Sequence, residues 1–171
     1  MPSRIVSTSI LLCLSLLLAA CQGYDIKVND RVVYSPPPLF TGVDIADPAL
    51  RACVEQAIVD QSVTTAADLV DLNCAHAGIT DLGGLAVFTG LTRLRMSANG
   101  IRNLVELNRL GKLRELYLDD NRIIDPVPLY GLTALDQLDL SGNPDLQCPR
   151  DDALAGIKSL KLPNHCTAVD A

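Results

Sequence analysis

The feature of this sequence that most restricts its fold is an apolar motif that recurs every 22 residues. The motif reads Leu-x-x-Leu-x-Leu, with Cys74 and Met96 in the third apolar position of two copies. Two apolar residues separated by one residue lie on the same side of a β-strand. A fixed period of this length is typical of a solenoid in which each repeat packs on the next. The copies begin at Leu69, Leu91, Leu113, Leu135 and Ile157.

An Asn occurs eight residues after the start of three copies, and Ile79, Ile101 and Ile123 stand two residues after the Asn position. The extended motif L-x-x-L-x-L-x-x-N-x-I resembles the leucine-rich repeat. Its length is similar to that of the short repeats in internalin-like bacterial proteins, and the resemblance covers residues 69 to 163. Asn side chains can bond the backbone of a turn, so we predict a ladder of stacked Asn residues. These residues are Asn99, Asn121 and Asn143.

The resemblance implies an α/β solenoid, in the form of a short, curved, right-handed superhelix with a parallel β-sheet on its concave face. Leu104–Leu110 has helical spacing and is expected to return along the opposite side. The prolines of Asp125–Leu129 exclude a regular α-helix and predict an extended or 3₁₀ segment. Ala77 and His165 replace Asn in the first and last copies, as expected for terminal repeats that face water.

A helix is predicted before the repeats, because Asp47 is a favourable N-cap and Pro48 is favourable at the first helical position. We expect this helix to cap the N-terminal edge of the solenoid, and a second short helix to occupy Thr64–Leu69. The residues that share the apolar face of the first helix are Leu50, Cys53, Val54, Ala57 and Ile58.

The first 20 residues have the pattern of a cleaved secretory signal peptide. Arg4 is followed by an apolar run of about 14 residues, shorter than the roughly 20 of a membrane-spanning helix. The run ends in Leu-Ala-Ala-Cys at Cys21, which resembles a bacterial lipobox. The resemblance implies a lipoprotein acylated at Cys21 with fatty acids such as palmitate. Gln22, in place of Asp, favours the outer membrane facing the periplasm. The alternatives are a chance Cys or a retained leader.

Between the leader and the helix we predict a tether. Ile26–Val28 and Val32–Tyr34 alternate around a turn and are compatible with a small hairpin, which either belongs to the tether or packs on the cap. Three consecutive prolines then stiffen the chain. The predicted organisation is a signal peptide (1–20), lipidated Cys and tether (21–41), N-terminal helical cap (42–68), repeats with a C-terminal cap (69–166) and tail (167–171).

The four cysteines that remain after Cys13 and Cys21 are set aside predict two disulfides in an exported domain. Their positions favour one disulfide near each end, although three pairings are open. A metal site is the alternative, but the chain has no C-x-x-C, and His76 and His165 lie near different cysteines. The favoured pairs are Cys53 with Cys74 and Cys148 with Cys166.

Side chains that face outward from the strands are the candidate binding residues. Neighbouring strands lie about 4.8 Å apart, so Arg93 is expected to reach Glu115 and Arg95 to stack on Tyr117. Such pairs either only keep the exposed sheet soluble or form part of a recognition surface. Tyr and Arg are enriched in recognition surfaces. The predicted binding residues on the concave face are Arg93, Arg95, Glu115, Tyr117, Asp119, Asp139 and Lys161.

The sequence therefore favours a non-catalytic, monomeric lipoprotein whose repeats bind a protein or peptide in the bacterial cell envelope. The alternative is a structural envelope lipoprotein without a specific partner. The net charge of −6 opposes nucleic-acid binding. The two histidines offer no nucleophile–base pair, so we expect neither an enzyme nor a cofactor. Asp119-Asp120-Asn121 superficially resembles a cation site, but Asn121 belongs to the ladder, so no metal is predicted.

Overall fold

The computed structural model describes residues 26–29, 31–35, 37–150 and 152–167. They belong to two compact units that divide between Pro38 and Leu39. The predicted signal peptide, Cys21 and residues 168–171 lie outside the described residues. No helix in the described part of the chain is long and apolar enough to cross a membrane.

The first unit contains a small antiparallel hairpin. Strand β1 (Ile26–Val28) pairs with strand β2 (Arg31–Tyr34). Asn29, between the strands, has a left-handed backbone with a φ of 49°. Asn tolerates this conformation better than most residues, which is why it suits a tight turn.

The second unit is built around a parallel sheet of five strands that follow one another in chain order. Every pairing joins residues 22 apart, as between Leu72 and Leu94 or between Leu138 and Leu160. The predicted repeat and the parallel sheet are therefore confirmed. The strands are β3 (Asp71–Asn73), β4 (Arg93–Arg95), β5 (Glu115–Tyr117), β6 (Gln137–Asp139) and β7 (Ser159–Lys161).

The core lies beneath the sheet and is almost entirely aliphatic. The central Leu residues of β3 to β6 are at most 1% exposed, whereas Leu160 of β7 is 37% exposed. Phe88 is fully buried and meets the ring of Phe40 edge-on, with 6.0 Å between centroids. The structure therefore buries the repeated Leu positions in four strands and leaves the last one partly open.

Three Asn side chains form a ladder along the turns after the strands. Asn121 Nδ2 donates to the carbonyl oxygens of Leu118 in its own repeat, at 3.0 Å, and of Met96 in the preceding repeat, at 2.9 Å. Its Oδ1 accepts from the Ile101 N–H at 3.1 Å. Asn99 and Asn143 repeat this arrangement, so each Asn joins two turns.

The segments outside the sheet contain short 3₁₀ helices. The predicted helical segment at Leu104–Leu110 contains a 3₁₀ helix at Val105–Arg109. The proline-containing segment forms a 3₁₀ helix at Val127–Leu129, as its prolines predict. Two further 3₁₀ helices lie at Ala66–Asp68, within the second short helix predicted at 64–69, and at Leu85–Val87.

Helix α1 (Pro48–Asp60) precedes the repeats and begins where Asp47 and Pro48 predict. It buries Leu50, Val54 and Ile58 in the common core. The Asp47 carboxylate accepts from the N–H groups of Ala49 and Leu50 through one oxygen. Through the other it accepts from the N–H and hydroxyl of Thr80 and from the Asp81 N–H. One side chain therefore caps the helix and fixes it to the first repeat.

Two disulfides lie near the ends of the second unit. Cys53 of α1 is bonded to Cys74, with 5.9 Å between Cα atoms. Cys148 is bonded to Cys166 of helix α2 (Asn164–Thr167), with 5.2 Å between Cα atoms. Each disulfide closes a loop of about 20 residues, which restricts the unfolded chain.

The second unit begins at Leu39, three residues before the predicted start of the helical cap at residue 42. The Phe40 N–H donates to the Val63 carbonyl at 2.8 Å, and its ring packs on Phe88. Residues 39–41 therefore belong to the same compact unit as α1.

Candidate functional site: the outer face of the sheet

The seven predicted binding residues all lie on one surface, which we call the outer face. It consists of the side chains of β3 to β7 and the following turns that point away from the core. The strand pairing sets Arg93 beside Glu115, and places Arg95, Tyr117, Asp139 and Lys161 in one row across the sheet. Asp119 follows β5, where the hydroxyl of Ser97 donates to it.

Arg93 is the centre of the strongest ion-pair cluster on the outer face. Its Nε and Nη2 donate to the two oxygens of Glu115 at 2.7 and 2.9 Å, and its Nη1 donates to Asp71 at 3.0 Å. Hydrogen bonding to Glu115 and Asp71 raises the pKa of Arg93, and its guanidinium lowers the pKa of the Glu115 carboxyl. The hydrogen-bond donors of Arg93 are therefore occupied by residues of its own sheet.

Arg95 and Tyr117 form the part of the outer face whose bonds to other residues of the protein are weaker. The Arg95 guanidinium carbon lies 5.8 Å from the centre of the Tyr117 ring, within cation–π range. Its hydrogen bond to Asp71 is long, at 3.4 Å. The Tyr117 hydroxyl donates to Gln137 at 2.9 Å. Both side chains thus have exposed surface and hydrogen-bonding groups that a partner can reach.

At the other side of the outer face, the buried Asp139 carboxylate pairs with the exposed Lys161. Lys161 Nζ lies 2.8 Å from Asp139, and the hydroxyl and N–H of Ser141 also donate to that carboxylate. Burial alone raises the pKa of Asp139, but these hydrogen bonds outweigh it and the pKa is lowered. Hydrogen bonding to Asp139 raises the pKa of Lys161. At neutral pH this pair is ionised on both sides.

Asp71 is the residue of this site that the prediction left out. It lies between Arg93 and Arg95 and forms an ion pair with each. The signal was in the sequence, since the 22-residue period sets Asp71 directly beside Arg93. Its role was not predicted, because the expected partners of Arg93 and Arg95 were Glu115 and Tyr117 on the following strand.

The histidines have structural positions. His76 has a left-handed backbone with a φ of 57°, and the same conformation recurs 22 residues apart at Ala98, Asp120 and Gly142. His165 occupies the Asn position of the last repeat, and its Nε2 lies 2.9 Å from the Leu146 carbonyl oxygen. His76 therefore belongs to the regular turns of the solenoid, and His165 lies in α2 with its ring against the preceding repeat.

Two possible metal sites can be tested against these contacts. Cys148, His165 and Cys166 place their ligand atoms within 4.8 Å of one another, but the two sulfurs are joined in a disulfide, which leaves no thiolate. At Asp119-Asp120-Asn121, the Asn121 oxygen accepts from Ile101, so it is committed to the ladder. The described residues thus give neither group a convincing set of metal ligands.

The fold and the outer face define a leucine-rich repeat solenoid. Its similarity to solved structures points to the internalins of Listeria monocytogenes. Internalin inlF shares 27% identity over 70% of this chain and 36% of its own, with a TM-score of 0.58. Internalin C2 shares 29% identity over 68% of this chain and 53% of its own, with a TM-score of 0.57.

The chain thus spans between about a third and about a half of the length of these two internalins. No protein-family model matches the chain, and no curated protein matches it in sequence. The similarity supports an internalin-like leucine-rich repeat protein, which agrees with the resemblance found in the repeats.

Proposed function

We propose that this protein is a non-catalytic interaction module whose outer face binds a protein or peptide. The observation that supports this most directly is the row formed by Arg95, Tyr117, Asp139 and Lys161 across parallel strands. Tyr and Arg supply much of the energy of protein interfaces. The similarity to internalins agrees with an interaction scaffold. The same side chains contain no arrangement that suggests catalysis.

We further propose that α1 caps the N-terminal edge of the solenoid and that the repeats wind as a curved, right-handed superhelix with the outer face on its concave side. The proposal for α1 is supported by its disulfide to Cys74 and by the Asp47 contacts to the first repeat. A concave face would surround a partner, which suits a monomeric binding protein.

The cellular setting is also a proposal. The leader and the Leu-Ala-Ala-Cys21 sequence support a lipoprotein anchored through acyl chains, in the outer membrane and facing the periplasm. The two disulfides agree with an oxidising compartment. The binding module would then be held near the membrane while its repeats remain in water.

A structural envelope lipoprotein without a specific partner is the second candidate. One observation favours it: Arg93 is paired with Glu115 and Lys161 is paired with Asp139, so these four side chains satisfy one another. Among the predicted binding residues, Arg95 has a longer and weaker ion pair within the protein than Arg93 or Lys161. The test therefore concentrates on Arg95 and its neighbour Tyr117.

The test compares capture of envelope proteins by the full-length wild-type protein and by an Arg95→Ala/Tyr117→Ala variant, both in detergent. We expect wild type to retain a protein that the variant loses, because truncation removes the central contacts. Arg109→Ala, in a 3₁₀ helix away from the sheet, is the control and should capture as wild type does. Equal capture by wild type and the double variant, with unchanged melting temperatures, would favour the structural candidate.

A further inference from the structure

We propose that the free edge of β7 is a second docking surface, which accepts an extended acidic peptide segment of a partner as an additional strand. This mode of binding adds a strand to a sheet through backbone hydrogen bonds and side-chain complementarity. It involves the end of the sheet, so it stands independently of the binding proposed for the outer face.

The backbone of β7 is the first step in the argument. The Ser159 N–H donates to the Asp136 carbonyl, and the Lys161 carbonyl accepts from the Leu140 N–H, both on the β6 side. Successive residues of a strand direct these groups to opposite sides. The N–H and carbonyl of Leu160 therefore point to the other edge, beyond which no strand of the described chain lies.

The side chain of Leu160 gives the second step. Leu72, Leu94 and Leu116 occupy the equivalent position in β3 to β5 and are 0% exposed, while Leu160 is 37% exposed. Each of those Leu residues has a paired Leu on the next strand, whereas no strand of the described chain follows β7. An added strand with an apolar residue at this position would bury the remaining surface of Leu160, which is favourable in proportion to its apolar area.

The charges beside β7 indicate which kind of partner strand could be added to it. Lys158 and Lys161 flank Leu160, and their side chains are 78% and 67% exposed. Lysines at a sheet edge oppose pairing with another copy of the same strand, because like charges approach one another. They favour a strand that carries Asp or Glu. The edge is therefore suited to an acidic partner and unsuited to a second copy of this chain.

Strand β6, with the preceding residue Asp136, indicates the sequence pattern that such a partner strand would have. Asp136 and Asp139 lie 2.7 and 2.8 Å from the ammonium groups of Lys158 and Lys161. The matching pattern is thus acid, any residue, apolar residue, acid. Arg93 demonstrates within the same sheet that one cation can bind carboxylates on both neighbouring strands. The two lysines can accommodate a second pair of acids in the same way.

The test uses a labelled peptide with the sequence of residues 133–142, which contains this acidic pattern, and the full-length protein in detergent. The control peptide replaces both Asp residues by Asn. We expect saturable binding that is about tenfold weaker for the Asn peptide and weaker at high salt, because exposed ion pairs are modest and screened. Hydrogen exchange of the Leu160 amide should slow, while that of Leu138 should not change.

A matched pair of protein variants adds a second readout. Lys158→Gln/Lys161→Gln should weaken binding of the Asp peptide by a similar factor, and Lys112→Gln, at an exposed position outside the strands, should not. Equal binding of the two peptides, no saturable binding of either, or unchanged exchange at Leu160 would each overturn the proposal. So would self-association of the protein through β7.

Discussion

At the scale of single residues, Asn121 illustrates how the Asn ladder supports the stacking of repeats. It is 4% exposed and bonds backbone groups of two neighbouring turns. Asn121→Ala would leave the Ile101 N–H without its side-chain partner, while the Met96 carbonyl would keep its bond from Asn99. An unsatisfied buried group costs about 1–3 kcal/mol, so we expect the free energy of unfolding to fall by at least that amount. Urea denaturation of the purified protein measures it.

The matched control for this prediction is Asn108→Ala. Asn108 is exposed in a 3₁₀ helix, and surface substitutions of this kind usually change stability by less than about 0.5 kcal/mol. If the two variants had the same stability, the ladder would contribute nothing measurable. The prediction is specific to interior positions, because Ala77 stands naturally at the ladder position of the first repeat.

Single residues also show the limits of prediction from sequence. The ladder was predictable because Asn recurs with the period of the repeat. The N-cap role of Asp47 was predictable from its neighbour Pro48, but its contact with Thr80 was not, because 33 residues separate them. The left-handed backbone at Ala98 gave no signal, because Ala rarely adopts it, although His76, Asp120 and Gly142 at the equivalent positions are residue types that adopt it more readily.

At the scale of elements, the junction between α1 and the first repeat depends on the Asp47 carboxylate. Burial raises its pKa, but hydrogen bonds from Thr80, Leu50 and Asp81 outweigh burial and lower the pKa to about 2. A pKa that is lower in the folded state stabilises the fold above the unfolded value of 3.8, and this contribution is lost as the pH falls toward 2. Its size is about 2 kcal/mol.

Asp47→Asn should therefore reduce stability at neutral pH and remove this part of the acid sensitivity. The difference in unfolding free energy between wild type and variant should shrink by about 2 kcal/mol from pH 5 to pH 2, as urea denaturation at several pH values would show. Asn remains a good N-cap, so the helix itself is preserved. Asp44→Asn, at an exposed position, is the control. A difference that does not vary with pH would contradict the assignment.

Elements with a periodic or capped sequence were the ones that sequence could predict. The five strands and α1 fall where the repeat and Asp47-Pro48 indicate. The Leu104–Leu110 segment had helical spacing, yet its helix at 105–109 is of the 3₁₀ type. Both helix types place residues three apart close together, so spacing alone cannot distinguish them. The open position of Leu160 also escaped prediction, because its motif is regular and differs from the others only in that no strand of the described chain follows β7.

At the scale of the whole molecule, charge and proposed anchoring act against each other. Removal of residues 1–20 would leave 13 Lys and Arg against 20 Asp and Glu, a net charge of −7. Anionic lipid headgroups repel such a protein, so no electrostatic attraction holds it at a membrane. In the proposed lipoprotein, attachment would come from the acyl chains on Cys21. Each CH₂ buried in the bilayer contributes about 0.8 kcal/mol, and two or three chains suffice for stable anchoring.

We therefore expect Cys21→Ser to abolish anchoring without unfolding the repeats, because all four cysteines of the two disulfides are retained. In cells that are fed an alkyne analogue of palmitate, the wild-type protein should be labelled and sediment with membranes. Cys21→Ser should be unlabelled and, if processed at all, soluble.

Cys13→Ser is the matched control, since Cys13 is predicted to leave with the signal peptide, and it should behave as wild type. Labelling that persists in Cys21→Ser would show that this Cys is not the site of acylation, and equal sedimentation without label would point to a retained leader.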